Sequence, residues 1–139
     1  MQVISFFFLS ECKSYSQLSD ADRSRKSPLK KLKCDQSGFA KKWYRFTGAA
    51  GSAMATSCVP MNHCGTHAPG WLSKAHPIKK YEIVTRKVCY HWNSKCCNWS
   101  NNIRVRNCGD FYVYELTRTP HCHLRYCGDS PGAPGICNQ

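Results

Sequence analysis

The sequence predicts a small, disulfide-rich, mainly β protein: irregular short antiparallel strands stapled by about five disulfides. Three observations predict it. Eleven of the 139 residues are cysteine, about 8%, a density typical of disulfide scaffolds. The apolar stretches are short and alternate with polar residues, the period of a strand with one buried face. Glycine, proline, asparagine and aspartate interrupt them too often for helices. Leu, Ile and Val are few and aromatics supply 12% of the chain, so the core is thin and needs staples. Disulfides at this density persist in an oxidising compartment. The chain therefore reads as secreted or ectodomain material, with five bridges and one odd cysteine.

Residues 1–11 read as a short or N-terminally truncated signal peptide. The apolar run from Val3 to Leu9 suits an h-region but is too short to span a membrane. Residues 12–128 form one cysteine-rich domain. Ser19 or Asp20 is placed to cap a turn of helix. A basic run follows in residues 23–33. The stretch 43–72 organises the domain: W-Y-R-F is an extended aromatic run, glycines and prolines then break the chain, and Cys58 and Cys64 flank a Val-Pro bend before Trp71. Residues 81–88 read as a strand, 89–97 as a tight loop carrying Trp92, and 103–106 as a half-buried strand. The F-Y-V-Y-E-L run of residues 111–116 is the strongest strand, with Val113 and Glu115 on one face and Tyr112, Tyr114 and Leu116 on the other. Cys108-Gly109-Asp110 makes a hairpin turn between the last two. Residues 129–139 read as a Pro/Gly-rich tail leading to a missing or truncated following module. Trp43, Phe46, Trp71, Trp92 and Tyr114, with the cysteines, are expected to hold the fold.

The charge is +12, with 20 Lys and Arg against 8 Asp and Glu, which favours anionic partners. Arg23, Arg25, Lys26, Lys30, Lys31, Lys33, Lys41 and Lys42 are the candidate anion-binding residues, with Lys79 and Lys80 beside them. A sulfated glycan suits them better than nucleic acid, because cysteines flank the basic run and imply an oxidising compartment. Zinc is disfavoured: no C-x-x-C or C-x-x-x-C occurs, and adjacent Cys96 and Cys97 suit separate disulfide partners better than one tetrahedral ion. Catalysis is disfavoured too. No pair of carboxylates stands out as an acid/base couple. Ser52 lacks a nucleophile-elbow frame, and cysteine catalysis needs a free thiolate, which only the odd cysteine could supply. No catalytic residue, metal or cofactor is expected. A cationic defence protein acting on anionic membranes is the rival class, but it needs an exposed amphipathic segment and none is evident.

Several motifs fall in one order. They are C-x2-Y-x2-L from Cys12, W-Y-R-F-x-G-x-x-G-x-x-M-x-x-x-C-V-P from Trp43, and C-x-T-x-A-P-x-W-L from Cys64. After them come H-P at His76, C-x-H-W from Cys89, C-C-x-W from Cys96, C-G-x-F-Y-V-Y-x-L-T from Cys108 and P-x-C-H-L-x-Y-C from Pro120. In this the chain closely resembles the uromodulin-type eight-cysteine domain from Cys12 to Cys137. The resemblance implies an extracellular, mainly β, non-catalytic module that binds or presents carbohydrate or mediates extracellular protein contacts. In the family's best-known members it is a glycan-bearing decoy for a bacterial fimbrial adhesin. The resemblance also implies the pairs Cys12–Cys108, Cys34–Cys122, Cys58–Cys96, Cys64–Cys127 and Cys89–Cys97. In the decoys a glycosylation sequon falls in the aromatic strand, where this chain has Glu115. The N-x-S/T site here is Asn98-Trp99-Ser100, so Asn98 is the expected glycan acceptor.

Overall fold

The computed structural model describes residues 10–131. A one-turn helix α1 (Ser10–Lys13) precedes nine strands: β1 (Ser16–Leu18), β2 (Lys42–Phe46), β3 (Ala53–Met54), β4 (Ala68–Leu72), β5 (Ile83–Trp92), β6 (Lys95–Asn107), β7 (Tyr112–Leu116), β8 (Leu124–Tyr126) and β9 (Gly128–Asp129). Seven form one sheet in the order β1-β2-β7-β6-β5-β4-β8, and β3 pairs with β9 in a second. The β1–β2 and β4–β8 pairs are parallel, where antiparallel pairing alone was expected.

The alternation sorts side chains onto two faces. Tyr44 and Phe46, Tyr114 and Leu116, Val105 and Ile103, Val88 and Tyr90, Leu72, Leu124 and Tyr126 share one buried cluster, closed by Ala50 from the connection after β2 and by Met54 of β3. Its tyrosines keep their hydroxyls satisfied. Tyr90 donates to Asn101 Oδ1 at 2.6 Å, and Tyr126 accepts from Asn101 Nδ2 and donates to Thr117 O. A smaller cluster of Ala55, Val59, Cys64 and Cys127 packs against Trp71.

Three expectations change. Residues 89–97 are not a loop. They finish β5, turn at Asn93 and Ser94, and begin β6, with Trp92 opposite Lys95. Both turn residues have positive φ, 54° and 61°, and this conformation matches the twist of a tight hairpin. The central hairpin is therefore far longer than the short strands read at 81–88 and 103–106. Trp43 and Trp71 lie half-buried rather than in the main cluster, because they point to the sheet face opposite Tyr44 and Gly70. Asp20 precedes a 3-10 turn, Ala21–Arg23, but makes no side-chain cap.

Five disulfides staple this frame. Cys12–Cys108 ties α1 to the β6–β7 turn, and Cys34–Cys122 holds the long connection before β2. Cys58–Cys96 and Cys64–Cys127 anchor the irregular stretch between β3 and β4, and Cys89–Cys97 crosses the β5–β6 hairpin. Most of the signal-peptide reading, and Cys137, lie outside the described residues. The tail reading begins at β9, whose Gly128 and Asp129 are paired with β3.

The β3–β9 crossing tolerates no side chain at Gly128. A Cβ there would lie 2.1 Å from Ala50 O and 2.9 Å from Phe46 Cδ2. Gly128→Ala is expected to cost about 2 kcal/mol, read as a lower urea midpoint with the disulfides intact.

Candidate functional site

Where β2 leaves the sheet and β7 enters it, an open cleft of about 680 Å³ lies between the end of β2, the turn before β7 and the loop after β4. Its wall begins with Arg45. The alternation that buries Tyr44 and Phe46 sends Arg45 to the other face. There its guanidinium carbon sits 3.7 Å from the Phe111 ring centroid, and Nη1 donates to Tyr15 Oη at 2.8 Å. Tyr15 meets Phe111 edge-on at 5.6 Å, so two aromatic side chains fix one flat cation.

His76 forms another wall. The loop carrying it is held by Asn107 Nδ2, which donates to Pro77 O at 2.9 Å, and by Arg86 Nε, which donates to Ala75 O at 2.9 Å. The His76 ring stacks on Tyr112 with centroids 4.2 Å apart, and its Nε2 is 2.8 Å from Tyr114 Oη. Tyr114 Oη already accepts the Met54 N–H at 2.9 Å. No other acceptor for the Tyr114 hydroxyl lies among the described groups, so its proton goes to His76 Nε2, and the neutral ring carries its own proton on Nδ1. Burial, with a smaller push from Arg86, holds the imidazole down at about 4, so His76 is uncharged at neutral pH.

Asp110 completes the cleft. The turn beside it is closed without its carboxylate: Gly109 N–H donates to Asn107 Oδ1 at 2.7 Å, and Cys108 N–H donates to Phe111 O at 2.8 Å. Ser52 and Thr56 add exposed hydroxyls at the rim.

The basic candidates divide. Arg23 is unavailable to any ligand. It is 4% exposed, and its guanidinium is spent on Asp35, at 2.6 and 3.1 Å, and on Tyr126 O. Arg25 is half-buried and bonds Ser57, Cys58 O and Asp129, and Lys33 pairs with Asp22 at 2.6 Å. For Asp22, burial works upward, but hydrogen bonds from Lys33 and Arg125 hold the carboxyl below its usual range. The buried Asp35 demands a counter-charge, and Arg23 of the basic run supplies it; Arg25 and Lys33 are drawn to the half-buried Asp129 and Asp22. Lys26, Lys30, Lys31, Lys41, Lys42, Lys79 and Lys80 stay exposed, on three separate parts of the chain.

Glu115 accepts from Arg104 Nε at 2.7 Å, and Arg104 lies 5.3 Å from the Trp43 ring centroid. That hydrogen bond is the main reason its carboxyl titrates below the usual range. At the strand position of the decoys' sequon this sheet therefore carries an ion pair against an aromatic. Asn98 is half-buried near the start of β6. Cys58, His91 and Cys96 cluster as three possible metal ligands, but one disulfide joins the two sulfurs and His91 Nδ1 donates to Val59 O at 2.7 Å.

Sequence reasoning passed over Arg45, Asp110 and Phe111 as site residues. The signal for Arg45 was the W-Y-R-F alternation, and the signal for Asp110 was its place beside Gly109 in a turn. Neither says that the two share a cleft.

The fold and its bridges define a disulfide-stapled β module of the kind built for oxidising compartments. Residues 44–128 match the family model of the uromodulin-like eight-cysteine domain. The chain is 42% identical to Mus musculus uromodulin over 129 residues, covering 92% of this chain and 20% of that protein. It is 41% identical to the Rattus norvegicus pancreatic secretory granule membrane major glycoprotein GP2 over 130 residues, 91% of this chain and 24% of that one. With Rattus norvegicus uromodulin it shares 49% over 98 residues, 70% of this chain and 15% of the relative. The chain belongs to the uromodulin-like eight-cysteine domain family, a family of extracellular proteins, and spans about a fifth of these relatives' length.

Proposed function

We propose that this chain is a secreted, non-catalytic recognition module whose surface binds anionic, sulfated glycans. The observation that supports this is how its charges are used. Six of the eight carboxylates, those of Glu11, Asp20, Asp22, Asp35, Glu115 and Asp129, lie in ion pairs with arginine or lysine. The exposed lysines are left with little negative charge to meet, and a positive field of that kind concentrates polyanions. Lys26, Lys30 and Lys31 are the residues with most to contribute, since they stand exposed in succession along one segment.

Heparin chromatography tests the reading. The chain is expected to elute at higher salt than a control protein of equal net charge. Replacing Lys26, Lys30 and Lys31 together by glutamine is expected to move elution down to that control. Co-elution of the unaltered chain with the control reduces the lysines to a solvated surface.

A second reading, presentation of carbohydrate, rests on Asn98-Trp99-Ser100. Protein from a secretory host is expected to lose mass on N-glycan removal, and Asn98→Gln to abolish that loss. An unchanged mass removes this reading.

A further inference from the structure

We propose that the cleft between Arg45 and Asp110 is a binding site for a neutral, hydroxyl-rich saccharide of one or two rings, separate from the lysine surface. Asp110 carries the argument. In a chain with net charge +12, six of the eight carboxylates are drawn into ion pairs; of the two left exposed and unpaired among the described residues, Glu82 and Asp110, only Asp110 lines the cleft. The ordinary role of such a residue is to close its turn, but Asn107 and the Cys108 N–H already do that. The carboxylate is therefore free to accept two hydrogen bonds from a ligand, as neighbouring sugar hydroxyls would donate them.

The rest of the cleft fits the same chemistry. Arg45 is held flat on Phe111, with Nη1 used by Tyr15 and Nη2 bonded to no described group. It can donate to a sugar oxygen without reorganising. Ser52 and Thr56 supply hydroxyls that both donate and accept. Tyr112 and Phe111 also line the cleft, each half-buried with one face taken by His76 or Arg45, and add apolar surface for the C–H groups of a sugar. The volume, about 680 Å³, suits a small ligand.

Other ligand classes fit less well. A sulfate or phosphate would meet the Asp110 carboxylate. An amine or guanidinium would meet Arg45. An apolar ligand would strip water from both charges and replace none of their hydrogen bonds. A neutral polyol satisfies donor and acceptor together.

The test is titration of the isotope-labelled full chain with glucose, galactose, mannose, N-acetylglucosamine and lactose, followed by amide chemical shifts. At least one sugar is expected to shift amides of residues 45–48 and 109–112, and to do so equally at high salt. Asp110→Asn, an exposed change that leaves the turn's own bonds in place, is expected to weaken that sugar about tenfold or more. Phe111→Leu is the second variant, and thermal melting of both checks that they fold. Lys30→Gln with Lys31→Gln is expected to leave sugar affinity unchanged. Either of two results overturns the proposal: no sugar in the panel moves these amides, or Asp110→Asn binds as the unaltered chain does. Heparin retention is read in parallel. Loss of retention with sugar shifts intact removes the lysine-surface reading alone, and the converse removes the cleft alone.

Discussion

Asp35→Ala is expected to lower the stability of the folded chain by about 3–5 kcal/mol, the cost of breaking a buried ion pair from one side. Asp35 is 4% exposed. Its carboxylate takes two N–H groups of Arg23, at 2.6 and 3.1 Å, and the backbone N–H of Tyr126 at 2.9 Å. Arg125 Nε stands 3.9 Å away. Arg125 is itself buried, and its other counter-charges are Asp22 at 2.9 Å and the more exposed Asp20 at 3.6 Å. Removing Asp35 leaves the buried Arg23 guanidinium with Tyr126 O as its remaining acceptor, takes one counter-charge from Arg125 and leaves an unsatisfied amide on β8. The segment 20–35 then keeps its bridge at Cys34, the Asp35 N–H bond to Leu124 O and the Arg125 pairs with Asp20 and Asp22, but loses the buried carboxylate that joins Arg23 to the Tyr126 N–H of β8. Urea denaturation under non-reducing conditions measures the loss. A second comparison separates the charge from the packing: Asp35→Leu combined with Arg23→Met is expected to recover much of the stability, because no buried charge is then stranded at that pair. A loss below about 1 kcal/mol for Asp35→Ala would show that water reaches Arg23 and Arg125 and that the network is not a core element.

Acid is expected to loosen the fold through His76 before it titrates the paired carboxylates. Burial, seconded by Arg86, holds the folded imidazole down at about 4, whereas an unfolded histidine titrates near 6.5. Between those values the unfolded chain binds a proton that the folded chain refuses, so stability falls as pH drops from about 6.5 to 4. Below about 4 both states are protonated and this contribution stops changing. The gap of about 2.5 units corresponds to about 3 kcal/mol across the window. Burial is the main reason, and protonating Nε2 would also leave the buried Tyr114 hydroxyl without its acceptor. His76→Gln removes the titration while keeping a polar side chain. The unaltered chain is expected to lose about 3 kcal/mol more than His76→Gln between neutral pH and pH near 4. The carboxylates of Asp22 and Glu115, both held low, weaken at lower pH in both proteins and cancel in the comparison. Equal losses in the two proteins would place the acid sensitivity elsewhere.

Much of the fold could be read from local pattern. The alternation in residues 111–116 assigns Tyr114 and Leu116 to the core and Glu115 to the other face, and β7 obeys it. The Cys108-Gly109-Asp110 turn joins two antiparallel strands as its composition demands. Cysteine density implies a stapled scaffold, and the order of motifs implies the family. Each of these is a property of neighbouring residues, set by side-chain period and turn chemistry.

The site was not legible in the same way, because its parts are distant in the chain. Arg45, His76 and Asp110 meet only after β2 pairs with β7 and the loop after β4 docks under Tyr112 and Tyr114. Nor does composition separate Arg23 from Lys30. Both stand in one basic run, yet Arg23 is a buried counter-charge and Lys30 is solvated. Residues 89–97 looked like a loop because cysteines and a tryptophan interrupt the strand pattern. Cross-strand pairing over the β5–β6 hairpin overrides that local irregularity. The sequence alone therefore determined the class of fold, the faces of its best strands and the need for staples. Tertiary structure decided which charges are buried, which aromatics form the core and where a cleft opens, because those depend on long-range pairing.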